Sequence, residues 1–110
     1  MPDKPEHGII ILQPFANEII DGTKKEEFRT KQIPKSYINI PLYLLSESKI
    51  LGIIKFTNSK RMSTSKTDFF VWTIELIQKF KKPIEYKHKN GCRVWVRNVN
   101  QIQTKLELDA

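Results

Sequence analysis

At 110 residues the chain is expected to form one domain, residues 1–110, with a single core, and its 39% apolar content holds no run near the roughly 20 residues that span a bilayer. Cys92 alone excludes an internal disulfide, and with just His7 and His88 beside it neither a metal site nor a cofactor is expected; the polar start, Met1 to His7, and the short apolar run Ile9 to Leu12 do not make a signal peptide, so a cytoplasmic protein is expected. A formal net charge of +7 and a pI near 9.6 suit a partner that is a polyanion, against the plainer reading of a lysine-rich surface with no partner attached to it.

Ile9-Ile10-Ile11-Leu12 predicts a short buried strand that ends at Pro14. Phe15 with Ile19, and Ala16 with Ile20, then share a helix face, and Gly22 suits the left-handed residue after a last turn, so Pro14 to Asp21 predicts a two-turn helix. The segment KKEEFR carries one apolar anchor, which is too little to hold a helix to a core. As a strand it places Lys25, Glu27 and Arg29 on one face and Glu26, Phe28 and Thr30 on the other. Gln32 to Ile38 reads as a loop, Ile40 to Leu45 as a strand, and Ile50 to Phe56 as a further strand whose Gly52 predicts a bulge.

Asn58 to Lys66 has the small, polar and basic composition of a loop. From Thr67, the residues Phe69, Trp72, Thr73, Leu76, Ile77 and Phe80 recur at three and four and predict a longer helix, capped by Thr67 and stopped by Pro83, with Trp72 in the core. Ile84 to His88 alternates as a strand, Asn90-Gly91 is a hairpin turn, Arg93 to Ile102 alternates again, and the tail is left as an edge strand or a frayed end. The order predicts an α+β fold: a small mixed β-barrel with a short N-terminal helix and one longer helix.

ILQPFANEIIDGTKKEEFR resembles the opening of the ASCH domains of the PUA-like superfamily, in which a strand and short helix lead into Gly-x-Lys-x-x-Glu-x-Arg; Gly22, Lys24, Glu27 and Arg29 match it in place. ILGIIKF resembles a barrel strand of that family, and CRVWVRNV its closing strand. The resemblance implies a barrel with a cleft beside the motif that binds RNA or modified nucleotides. It also implies, for some small members, hydrolysis of acetylated cytidine, and for others cleavage of RNA. Where the deacetylating branch carries a threonine, three positions beyond the motif lysine, this chain has Glu27.

The residues support that chemistry independently. Lys24 offers a point charge to a phosphate or, in a hydrolase, an acid-base group paired with Glu27; Arg29 offers a bidentate donor to a phosphate or a base edge. The plainer alternative is a structural ion pair between Glu27 and Arg29. Lys60, Arg61 and Lys66, with Lys87, Lys89, Arg93 and Arg97 around the hairpin, form a candidate phosphate-tracking surface, with Tyr86 or Trp95 to stack a base, or else are ordinary solvated charges. Three functions remain: an RNA- or nucleotide-binding module, a small hydrolase acting on a modified nucleoside or on RNA through Lys24 and Glu27, and a protein-interaction domain whose charge is incidental.

Overall fold

Six strands, one α-helix and one short 3-10 turn follow one another in the computed structural model, which describes residues 4–88, 91 and 93–99. They are β1 (Gly8–Ile10), α1 (Phe15–Ile20), β2 (Glu26–Arg29), the 3-10 turn Lys35–Tyr37, β3 (Pro41–Ser46), β4 (Lys49–Ser63), β5 (Asp68–Glu85) and β6 (Trp95–Val96). The strands make one mixed sheet in the order β2-β5-β4-β3-β1-β6, in which β1 and β3 run parallel and every other pair antiparallel. β3 and β4 are joined through Glu47 and Ser48, both at positive φ (51° and 60°), the backbone that a tight two-residue hairpin needs. No helix among the described residues is long and apolar enough to cross a membrane.

Alternation along β3 divides the apolar core between the two faces of the sheet. Leu42 and Leu44 join Ile9, Ile54, Phe56, Trp72 and Ile74 on one face, where α1 adds Ala16, Ile19 and Ile20; Tyr43 and Leu45 join Ile50, Ile53, Phe80 and Val96 on the other.

Two groups of expectations are corrected. The longer helix from Thr67 is absent, and in its place β5 is an 18-residue strand paired with β4 from Glu85 to Asp68. Its Phe, Val, Trp, Thr and Ile residues favour a pleated surface, and pairing along two neighbours outweighs the three-and-four spacing. The same pairing removes the expected loop, because β4 continues through Asn58 to Ser63. Pro83 therefore stops no helix. It lies where β5 runs from Lys79 to Ile84 while β4 advances only from Gly52 to Ile50, an irregularity that spares it a ladder hydrogen bond.

The second correction is closure. The outermost strands, β2 and β6, do not pair among the described residues, so the sheet is curled but open and not a barrel. Instead of the strand expected from Arg93 to Ile102, β6 has two paired residues, both spent on β1. The curl still brings Trp95 of β6 to 6.0 Å from Trp72 of β5, with the rings 22° from parallel. Lys89, Asn90, Cys92 and the tail from residue 100 lie outside the described residues.

Candidate functional site

The open seam is held in shape by backbone bonds. Gly22, at φ 83°, follows α1 and turns the chain so that the N–H groups of Thr23 and Lys24 both donate to the Glu18 carbonyl at 3.0 Å. Lys24 is thereby fixed at the end of the helix before β2 begins. The Lys25 carbonyl accepts from Ile74 N–H at 2.8 Å, and β2 runs along β5 with Glu27 opposite Trp72 and Arg29 opposite Phe70. From the other side of the seam, Ile10 N–H donates to the Val94 carbonyl at 2.7 Å, which anchors the segment carrying Arg93.

At the centre is a charged triad. Glu27, 8% exposed, accepts from Arg29 Nη2 at 2.8 Å and Arg29 Nε at 3.0 Å, both on Oε2, while Lys24 Nζ stands 3.4 Å from Oε1. A carboxylate this far from water requires such partners, and two cations on one anion leave positive charge in excess. The Lys24 ammonium also lies over the rings of Phe15 at 5.3 Å and Phe28 at 5.7 Å, and the Arg29 guanidinium lies over Trp72 at 5.5 Å. A cavity of about 490 Å³ opens here, lined by Lys24, Glu27 and Arg29, by Arg93 from across the seam, and by the apolar Ile10, Leu12, Phe15 and Phe28. Leu12, Phe15 and Phe28 are the three most exposed large apolar side chains among the described residues, and all three border this cleft. Three cations against one carboxylate, beside exposed aromatic faces, suit a ligand that is anionic at one end and flat and apolar at the other.

The residues expected to track phosphates are distributed over three places. Arg93 joins the cleft. Arg97 lines a separate cavity with His7, Ser36, Tyr37 and Asn98. Lys60 and Arg61 are on β4 and Lys66 in the turn after it, not in one loop. In register, Lys60 follows Val71 and Phe28 across the sheet, and Arg61 follows Phe70 and Arg29, so the two basic side chains point to opposite faces. Arg61 is engaged: its Nη2 donates to Asp68 Oδ2 at 2.6 Å, and Ser63 Oγ donates to Asp68 Oδ1 at 2.7 Å, which together hold the Asp68 carboxyl below its ordinary value. Lys89 lies outside the described residues. Tyr86 is buried and offers no stacking face, while Trp95 stacks on Tyr37. His7 is half-buried; its Nδ1 accepts from Asn98 N–H at 3.1 Å.

Sequence reasoning missed the apolar wall of the cleft and assigned Arg93 to a different surface. The signal for Phe28 was present, since it is the lone apolar residue of a charged strand and alternates away from Glu27 and Arg29. Arg93 gave none, because only the curl of the sheet brings it to β2.

No protein-family model matches the sequence, and no curated protein sequence matches it. The architecture is nonetheless that of the ASCH-type fold. The chain superposes on the crystal structure of a serine-to-alanine variant of ZmASCH, from Zymomonas mobilis, with a TM-score of 0.67 over 96% of each chain and at 14% sequence identity. At that identity the likeness establishes the fold, and the chemistry has to be argued from the cleft itself.

Proposed function

We propose that the protein is an ASCH-type module that binds RNA, or a nucleotide within it, in the cleft between β2 and the β1/β6 edge, as a cytoplasmic protein. The observation that carries this reading is the convergence of Lys24, Arg29 and Arg93 on one cavity whose remaining wall is exposed and apolar. Phosphate oxygens meet the cations, and the exposed Phe15 and Phe28 rings cover the apolar parts of the ligand beside them. Glu27 keeps Arg29 and Lys24 oriented, so the ligand finds its donors already positioned. Lys60 adds charge on the face of the sheet that carries Phe28.

The test is a fluorescence-polarisation titration of a short single-stranded RNA against the wild type and the Lys24→Ala and Arg93→Ala variants. Each variant is expected to bind about tenfold more weakly with an unchanged circular-dichroism spectrum. Equal binding by all three proteins contradicts the reading, and no binding by any of them favours a protein-interaction domain.

One observation supports a second reading, a small hydrolase: the Lys24 ammonium and a Glu27 oxygen stand 3.4 Å apart at the cleft, an assembled acid-base pair. Incubation with N4-acetylcytidine and with RNA, followed by chromatography, is the check. Turnover lost in Lys24→Ala but retained in Arg93→Ala would favour this reading over simple binding.

A further inference from the structure

A second cavity, of about 380 Å³, lies behind the charged cleft and shares one wall with it, the side chain of Arg29. It is lined by Trp72, Trp95, Val94 and Pro34 and by the segment Thr30-Lys31-Gln32 that follows β2. Both tryptophans of the chain border it. Tyr37 is stacked on Trp95 with centroids 4.3 Å apart and planes within 4°, which fixes that indole; Trp72 lies within 22° of parallel to it at 6.0 Å, wider than the Tyr37 contact. Trp72 is held by its own Nε1–H, which donates to the Lys31 carbonyl at 3.0 Å. The aromatic walls are thus locked before any ligand arrives, and polar side chains, Thr30 and Gln32, stand at the rim.

We propose that this cavity is a nucleobase subsite: the site as a whole takes a nucleoside phosphate unit, with the base among the side chains that line this cavity and the phosphate in the cleft between Lys24 and Arg93. Arg29 separates the two halves, with its guanidinium on the Trp72 face and in the grip of Glu27. Aromatic walls of this kind also suit quaternary ammonium groups, but this one has Arg29 and Lys31 in its lining and no carboxylate, so a cationic ligand is repelled and a neutral planar ring is accepted. The Gln32 amide offers the donor-acceptor pair that a base edge requires. The proposal rests on the binding function above and adds which part of the ligand each cavity holds.

Because both tryptophans line the cavity, intrinsic fluorescence reports its occupancy. The experiment titrates the full chain with each of the four ribonucleoside 5′-monophosphates and with ribose 5-phosphate, following tryptophan emission and, by calorimetry, affinity. At least one nucleotide is expected to change the emission and to bind about tenfold more tightly than ribose 5-phosphate, and Trp95→Leu is expected to remove that advantage while leaving ribose 5-phosphate binding unchanged. Gln32→Ala, at an exposed position, is expected to flatten the preference among the four bases. Nucleotides binding no better than ribose 5-phosphate, or an advantage that survives both substitutions, overturns the subsite while leaving the anion cleft standing. Absence of binding by every nucleotide also overturns it, and the RNA titration then judges the broader function separately.

Discussion

Glu27 is the residue on which the cleft turns, since it is buried and holds together two cations that would otherwise repel each other. Glu27→Gln keeps the shape but leaves Lys24 and Arg29 without their counter-charge; a loss of about 2–3 kcal/mol in urea unfolding is expected, together with weaker RNA binding as Arg29 loses its orientation. Loss of binding without loss of stability would assign Glu27 to the ligand rather than to the support of Arg29. A second residue-scale prediction concerns Asp68. Its carboxyl is held below the ordinary 3.8 first by the hydrogen bond from Arg61, then by that from Ser63 and by the charge of Arg61. A lowered folded-state pKa means that the contribution is present above the unfolded value and fades as pH falls through the folded one, so the β4–β5 turn should loosen only below about pH 4, and Asp68→Asn should remove that pH dependence. Amide exchange of Thr64 to Thr67 reads this directly. At this scale the triad was legible in advance, because Lys24, at the bend before β2, and Glu27 and Arg29, on one face of β2, are close in sequence; Arg93 was not, because its place depends on non-local pairing of β1 with β6.

Between elements, the informative case is β5. Trp72, Ile77 and Phe80 fall in the stripe that predicted a helix, yet Trp72, with Ile74, belongs to one face of the sheet and Ile77 and Phe80 to the other. Register shifts against β4 carry the strand from one face to the other, so its period departs from two without becoming 3.6. Short elements were legible because their signals are local: Pro14 and Gly22 bracket α1, and Gly52 marks an irregularity in β4. Long strands depend on partners distant in sequence. Gly52 also sets a testable constraint, since a Cβ there would collide with the Gln78 backbone carbonyl oxygen on β5 and meet Ile20 of α1. Gly52→Ala is expected to cost about 3 kcal/mol or to prevent folding, measured by thermal melting; a variant as stable as wild type would mean that the two strands separate at this point without penalty.

The whole molecule is a curled sheet whose unjoined edges leave a seam, and the seam is where the charge and the exposed apolar side chains meet. A closed barrel would have spent the edges of β2 and β6 on each other; left open, they frame two adjoining cavities. Overall charge pointed towards a polyanion but not to a place, because +7 is spread over the β4–β5 ribbon, the far end of β5 and the seam alike. The central claim, that the seam cations neutralise phosphates, is tested most directly by the salt dependence of single-stranded RNA binding, measured between about 50 and 200 mM salt for wild type and for Lys24→Ala/Arg93→Ala. Each phosphate contact on a single strand contributes about 0.7 to the slope of log affinity against log salt, so the double variant should show a slope shallower by about 1.4. An unchanged slope would mean that RNA, if bound, is held elsewhere on this basic surface, and would contradict the account.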